Sequence, residues 1–233
     1  MTSPHRRFKD TLFEQFARIG KALSAPARLE LLELLSQGPR TVEALAGQTS
    51  LSVANASRHL QVLRAARLVD AEKRGQFVEY RLASDEVAGV WLSMRRLGER
   101  QLAEVEQVTR AYFKQRGALE PVASGELLRR VQEGRVTVLD VRPREEFDAA
   151  HIPGAISMPV AEIEARIDEL PKRRAVVAYC RGPYCVMALE AVELLRERGY
   201  AAQRMEQGVL EWRAREWRVS RAKRGAIARA SDA

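Results

Sequence analysis

The chain has 233 residues and a mass of 26.2 kDa, and 46% of its residues are apolar, which suits one or two domains of ordinary globular composition. No apolar run approaches the ~18 residues of a transmembrane helix, and no apolar segment follows the basic start MTSPHRRFKD, so we expect a cytoplasmic protein without a signal peptide. Two cysteines exclude a disulfide framework, and with three scattered histidines they form no zinc pattern, so we expect neither a metal nor a cofactor.

The net charge of +8 is unevenly distributed. Residues 1–119 carry 19 basic against 13 acidic side chains, residues 120–212 carry 13 against 16, and residues 213–233 carry 7 against 2. A basic first half suggests contact with a polyanion, although arginine on solvated faces gives the same balance.

The first half of the chain has the pattern of a helical domain. A first helix is predicted by apolar residues at helical spacing, namely Phe8, Leu12, Phe13, Phe16, Ile19 and Leu23. Ser24 is the expected N-cap of a second helix, which has Pro26 in its first turn and ends at Gly38-Pro39.

Two short capped helices follow in a helix-turn-helix arrangement. Thr41 caps a helix that runs to about Gly47, and Ser52 caps the next. The expected buried face of this second helix consists of Val53, Ala56, Leu60 and Leu63.

A hairpin and a long helix complete this half. Apolar and polar residues alternate over 68–83 on both sides of the basic tip 73–76, which predicts a β-hairpin. From Asp85 to about Lys114 the helical pattern returns, with apolar residues from Val87 to Tyr112. Because a small domain cannot cover so long a stripe, we expect a helix that forms a homodimer.

Residues 23–82 resemble the winged helix-turn-helix of the ArsR/SmtB family of bacterial repressors, on the segments PARLELLELL, SVANASRHL and ARLV and the charged wing. The resemblance implies that the SVANASRHL helix enters the major groove of double-stranded operator DNA. In this reading Asn55 pairs with adenine and Arg58 with guanine. The remaining expected DNA contacts, chiefly to the backbone, are Ser52, Ser57, Gln61, Lys73 and Arg74.

The metal-sensing members of that family carry cysteines in the first helix of the motif. Here this helix reads TVEALAGQ, without a thiol, and the helix over 85–115 contains no histidine. Both of the family's usual metal sites are therefore missing, and we expect a signal other than a metal bound in this half.

The second half alternates strands and helices, which predicts a mostly parallel sheet. Short buried strands are expected at Val136–Asp140, Ala175–Tyr179 and Ala201–Met205, with a helix at Ala188–Gly199. The segments VLDVRPREEFDAAHIPGAISMP and AVVAYCRGPYC resemble the rhodanese domain. We thus predict a multidomain chain: a mainly helical winged helix-turn-helix with a β-hairpin wing (1–117), a linker (118–125), an α/β rhodanese domain with a parallel sheet (126–214) and a basic tail (215–233).

Cys180 ends a buried strand and opens a tight loop before a helix. Backbone N–H groups in such a loop form an anion-binding nest, and the adjacent Arg181 adds a cation, so we expect a lowered thiol pKa and a nucleophilic thiolate. Phosphatases and arsenate reductases with related folds use C-x5-R, but Val186 occupies the arginine position, which favours sulfur transfer.

Cys185 lies in the same loop, either as a small apolar filler or as a thiol that resolves a persulfide on Cys180. We expect Asp140, Arg142 and His151 to support the loop or the turn.

These patterns leave three hypotheses. The first is a homodimeric DNA-binding repressor whose rhodanese domain senses or carries reactive sulfur, supplied by thiosulfate, a persulfide or a polysulfide, as a persulfide on Cys180. The alternative is a sulfurtransferase enzyme with an accessory DNA-binding domain. In the third, the rhodanese domain only helps dimerisation, which the presence of Cys180 argues against. None involves a membrane partner.

Overall fold

The computed structural model describes residues 3–115 and 124–221, which form two compact units divided in sequence between Gln107 and Val108. Most of the predicted linker (118–125) and the end of the predicted tail lie in residues 116–123 and 222–233, outside the described residues, whereas Ser124 and Gly125 begin a helix. Within the described part, no helix is both long and apolar enough to cross a membrane.

The first unit is helical with a small antiparallel sheet. Its elements are α1 (Pro4–Leu23), α2 (Pro26–Ser36), β1 (Arg40–Thr41), α3 (Val42–Gly47), α4 (Val53–Ala65), β2 (Val69–Arg74), β3 (Phe77–Leu82), α5 (Asp85–Gln101) and the start of α6 (Ala103–Gln115). The predicted hairpin is confirmed: β2 and β3 pair from Val69↔Leu82 to Arg74↔Phe77, and Gly75 has a φ of 63° in the turn. Strand β1, which the sequence did not predict, joins the edge of β3.

The core of this unit lies between α2, α4 and the sheet, where Leu31, Leu60 and Leu63 are fully buried. The sequence placed Val53 on the same buried face, but its side chain is 46% exposed because it lies in the first turn of α4. The apolar stripe of α1 is also exposed, with Phe13 at 64% and Phe16 at 58%.

Two predicted helix boundaries differ from the structure. Ala25, not Ser24, is the N-cap of α2, whereas the Ser24 hydroxyl donates a hydrogen bond to the Lys21 carbonyl at the end of α1. The single helix predicted over 85–115 is interrupted at Leu102, whose extended backbone (φ −111°, ψ 101°) separates α5 from α6.

The second unit is a parallel sheet between two helical layers. Its elements after α6 are α7 (Ser124–Gln132), β4 (Val136–Asp140), α8 (Arg144–Ala149), β5 (Ile156–Ser157), α9 (Ile163–Arg166), β6 (Ala175–Tyr179), α10 (Met187–Glu197), β7 (Ala202–Arg204) and α11 (Val209–Ala214). The strand order is β5-β4-β6-β7 and all three pairings are parallel, as predicted.

Each face of this sheet has its own apolar cluster. One contains Val176, Ala178 and Cys180 together with residues of α9 and α10, and the other contains Val177 and Tyr179 together with residues of α7 and α11. Because both faces are covered, the central strands consist almost entirely of buried residues. The carboxyl ends of β4 and β6 are adjacent, with Asp140 opposite Tyr179.

The first residues of the predicted tail pack on this unit. Trp217 and Val219 contact the cluster that contains Trp212, and the backbones of Ser220 and His151 exchange two hydrogen bonds. The chain from 215 to 221 is therefore held against the sheet domain.

Candidate functional site

The amino end of α4 presents a polar face to solvent. The Ser52 hydroxyl accepts a hydrogen bond from the Asn55 backbone N–H at 3.3 Å, so it caps the helix as predicted. Asn55, Arg58 and Gln61 are exposed and Ser57 is half-buried, while Ala56 on the inner face is fully buried. The predicted DNA-reading residues of this helix are thus accessible.

The hairpin turn carries the other two predicted DNA contacts. Lys73 and Arg74 are both exposed near the turn. Arg74 lies 3.3 Å from a carboxylate oxygen of Glu72 and 3.3 Å from one of Glu79, so part of its charge is balanced within the hairpin. Lys73 forms no ion pair with any residue that the structure describes.

Both cysteines lie in the loop between β6 and α10. Cys180 follows β6 directly and is 3% exposed, and its thiol donates a hydrogen bond to the Cys185 carbonyl at 3.5 Å. A backbone hydrogen bond from Cys185 N–H to the Gly182 carbonyl, at 3.2 Å, closes the loop. Cys185 is half-buried, and its sulfur is within hydrogen-bonding reach of the Cys180 thiol.

The two thiols differ in acidity, and the prediction of a lowered pKa for Cys180 is wrong. Burial raises the pKa of Cys180 well above its ordinary value, and the adjacent Cys185 raises it further, although loop N–H groups act in the opposite direction. The adjacent Cys180 side chain lowers the pKa of Cys185 to about 7, and backbone N–H groups of the loop act in the same direction. The two thiols therefore titrate as a coupled pair, in which the environment favours the charged form of Cys185 over that of Cys180.

Arg181 makes only a small contribution because its charge is already paired. Its guanidinium donates to Glu146 Oε1 from Nε at 3.0 Å and from Nη2 at 2.6 Å, and Glu146 is fully buried. This carboxylate holds the pKa of Arg181 above its ordinary value although burial acts against the charge. The predicted cation is beside the cysteines, but a carboxylate neutralises it.

Asp140 and Arg142 form a second buried pair that continues this network. The Arg142 guanidinium donates to both oxygens of Asp140, at 2.9 and 2.6 Å, and to the Ala150 carbonyl at 2.8 Å. Its Nη1 lies 3.8 Å from Glu146. The Tyr179 hydroxyl donates to Asp140 at 2.5 Å and accepts from the Ile152 N–H. Both residues thus connect the end of β4 to the cysteine loop, consistent with a supporting role.

His151 lies further from the cysteines. Its ring stacks on Phe147, with centroids 3.7 Å apart, and Nδ1 is 2.8 Å from the Phe147 carbonyl oxygen. These contacts hold the turn after α8.

Gly208 is a residue of the site that sequence reasoning missed. A Cβ at this position would lie 2.6 Å from the Cys180 carbonyl oxygen and closer still to the Arg181 carbonyl group. Only glycine lets the chain before α11 pass so near the cysteine loop. The signal in the sequence was a lone glycine after a short strand, and ordinary surface turns commonly contain such a glycine.

Comparisons with known proteins agree with this division of the chain. The family described as "Bacterial regulatory protein, arsR family" matches residues 25–71, and the rhodanese-like domain matches residues 123–215. The HTH-type transcriptional regulator Rv0324 of Mycobacterium tuberculosis is 44% identical over 206 residues, which cover 88% of this chain and 90% of that protein. The chain belongs to the ArsR family of bacterial regulatory proteins.

Two further similarities each concern one half of this regulator. The human thiosulfate:glutathione sulfurtransferase is 32% identical over 108 residues, 41% of this chain and 94% of that enzyme. A homodimeric winged helix-turn-helix domain from Mycobacterium bovis, solved by NMR, is 37% identical and covers 44% of this chain and 92% of that one, with a TM-score of 0.40. In the described part of the regulator, no group of three or more His, Cys, Asp or Glu side chains is placed to hold a metal ion.

The acidity of Cys185 gives a prediction for thiol reactivity. We expect alkylation of the wild-type protein by iodoacetamide to follow a titration with a midpoint near pH 7, because the Cys185 thiolate is present above that pH and is lost below it. Cys180→Ala removes the thiol that stabilises this thiolate, so the midpoint should move to higher pH. The rates are followed by intact mass, and an unchanged midpoint in Cys180→Ala would contradict the assigned hydrogen bond.

Proposed function

We propose that this regulator is a homodimeric repressor that binds operator DNA in the cytoplasm and whose rhodanese domain carries reactive sulfur as a persulfide on Cys180. The observation that carries the proposal is the adjacent pair Cys180 and Cys185, in which the Cys180 thiol donates to the Cys185 carbonyl and the pKa of Cys185 is lowered to about 7. A site with two adjacent thiols can both accept a sulfur atom and respond to it.

In the first step, the outer sulfur atom of thiosulfate is transferred to Cys180. As the Cys180 thiol passes its proton to the Cys185 thiolate, its sulfur attacks the outer sulfur of thiosulfate. The S–S bond of thiosulfate breaks, and sulfite leaves with the electron pair. The loop N–H groups of Gly182 and Ala188, which favour a charged Cys180 sulfur, also favour the persulfide anion that forms.

The second step converts the persulfide on Cys180 into a disulfide, and this change is the proposed signal. As the Cys185 thiol passes its proton to the outer sulfur of the Cys180 persulfide anion, its own sulfur attacks the inner sulfur. The persulfide S–S bond breaks, hydrosulfide leaves with the electron pair, and a disulfide joins the two residues. The half-buried loop between Cys180 and Cys185 has to rearrange to form this bond, and the rearrangement is a conformational difference that DNA affinity can report.

The central experiment measures operator affinity with and without a persulfide donor. We expect thiosulfate or polysulfide to change the affinity of the wild-type protein for its own promoter by about 5- to 150-fold, the usual size of coupling between sites. Cys180→Ser should remove both the persulfide and the change in affinity. Fluorescence anisotropy gives the affinity and intact mass gives the sulfur load.

Cys185→Ser serves as the matched variant in the same loop. It should still form the first adduct on Cys180, but more slowly because the proton-accepting thiolate is lost, and it should form no internal disulfide. If Cys180 is fully loaded in the wild-type protein and operator affinity stays constant, the two domains are uncoupled and the sensing role is wrong.

A second candidate function is enzymatic sulfur transfer. The similarity to the thiosulfate:glutathione sulfurtransferase covers nearly that whole enzyme. The test is sulfite release under steady-state turnover, with thiosulfate as donor and glutathione as acceptor. The enzyme is favoured if each protein completes many turnovers and its DNA affinity stays unchanged. The sensor is favoured if each protein is loaded once and its DNA affinity changes.

The polar face of α4 gives a prediction for DNA recognition. We expect Arg58→Ala to cost about 1–3 kcal/mol of operator binding and to relax sequence preference, because an exposed arginine at this face reaches base edges. Arg64→Ala is the control, since it removes the same charge from another exposed face of α4. Equal losses for both variants in anisotropy titrations at several salt concentrations would make Arg58 a general electrostatic contact.

The exposed apolar residues of α1, α5 and α6 give a prediction for assembly. Phe13 is 64% exposed, Leu97 60% and Leu102 54%, and such a surface normally lies in an interface. We expect Phe13→Glu to dissociate the homodimer and weaken operator binding, while Gln15→Glu, which adds the same charge on the other side of α1, leaves both unchanged. Sedimentation velocity checks the prediction, and a monomer that binds its operator tightly would contradict it.

A further inference from the structure

Arg204 lies beside the cysteine pair, although neither its position in sequence nor any motif marks it. It is the last residue of β7 and is opposite Ala178 of β6, two residues before Cys180. Alternate residues of a strand share a face. Ala202 belongs to the apolar cluster of Ala178 and Cys180, so Arg204 is on that same face of the sheet.

The guanidinium of Arg204 is buried without a partner for part of its charge. The residue is 7% exposed, and among the described residues its Nη1 has no hydrogen-bond partner. The guanidinium carbon lies 4.8 Å from the centroid of the Phe113 ring, which holds it by a cation–π contact. A buried donor left unpaired is costly, and it usually marks a site where another group binds.

Arg204 differs in this respect from the other two arginines near the loop. Arg181 donates to Glu146, and Arg142 donates to both oxygens of Asp140. No carboxylate in the described part of the chain forms an ion pair with Arg204. Its buried charge is therefore the one left for an external anion.

The electrostatics of Arg204 agree with its position. Burial lowers the pKa of the guanidinium, and three nearby acidic groups, Glu206, Cys180 and Cys185, act against that shift. Two of these three groups are the reactive thiols. A negative charge on either sulfur therefore interacts directly with the Arg204 guanidinium.

We propose that Arg204 binds the sulfur oxoanion at the cysteine site and so selects an anionic donor, of which thiosulfate is the simplest. The proposal rests on the sulfur chemistry proposed above. When the thiol sulfur takes the outer sulfur of thiosulfate and sulfite departs with the electron pair, the negative charge grows on the sulfite oxygens. A guanidinium donates to such oxygens in a fixed geometry, and burial strengthens the interaction.

The test compares two reagents with the same chemistry and different charge. Iodoacetate and iodoacetamide both alkylate a thiolate with loss of iodide, and the chain has only two cysteines, so every adduct reports on this site. We expect Arg204→Gln to lower the rate with anionic iodoacetate, and the loading rate with thiosulfate, by roughly tenfold or more, the size of one lost charged hydrogen bond. The rate with neutral iodoacetamide, taken on the plateau above the Cys185 pKa of about 7, should change by less than about twofold, because the Cys185 thiol is then ionised.

Two further variants separate this role from a structural one. Arg204→Lys keeps the charge and should restore much of the preference for iodoacetate. Arg198→Gln removes the same charge from an exposed side chain that pairs with Glu164, and it should leave both rates unchanged. Because Arg204 is buried and unpaired, we expect Arg204→Gln not to lower the melting temperature of the protein.

Each outcome decides the proposal. Equal losses with iodoacetate and iodoacetamide in Arg204→Gln, or an unchanged rate with iodoacetate and thiosulfate, would overturn it. If the wild-type protein forms no persulfide at all, the proposed function fails. Anion binding by Arg204 is still measured in that case, by the ratio of the two alkylation rates and by titration calorimetry with sulfite.

Discussion

Three buried charged residues and the half-buried Arg181 hold the cysteine loop in place. Asp140, Arg142 and Glu146 are fully buried, and Glu146 reaches Arg181 in the loop itself. Taking such charges out of water costs more than a single ion pair returns, so the arrangement is stable only when nearly every donor and acceptor is satisfied. Loss of one partner would leave a buried charge, at a cost of about 3–5 kcal/mol. The network fixes where Cys180 lies relative to both central strands.

The same network determines the chemistry of the loop. Because Glu146 pairs with Arg181, the neighbouring Cys180 side chain lowers the pKa of Cys185 more than that cation does. The positive charge left for a substrate is supplied from a different strand, by Arg204. A site built in this way separates thiol activation from anion recognition.

The DNA-binding half depends on a different constraint. Its core fixes α4 through Leu60 and Leu63 and leaves Asn55 and Arg58 exposed. The apolar surface of α1 is exposed in the described chain, and the homodimer that we propose would cover it and place two copies of α4 on DNA. In that proposal, assembly and recognition are linked.

The sequence by itself determined the features that depend on neighbouring residues. The Thr41 and Ser52 caps, the hairpin, and the strands β4 and β6 that lead to Cys180 follow from local hydrogen bonding and apolar periodicity. Family resemblance added the two domains. These predictions are right because each pattern is fixed within a few residues.

Tertiary structure alone decided the charges of the site. Glu146 is 35 residues from Arg181, and Tyr179 is 39 residues from Asp140, so no local pattern shows that Arg181 is neutralised or that Asp140 is fully satisfied. Contacts between distant parts of the chain also explain three other features of the site: the raised pKa of Cys180, the close approach of Gly208 and the unpaired Nη1 of Arg204. A pKa depends on burial and on all nearby charges, and these are set by strands that the sequence separates and the sheet brings together.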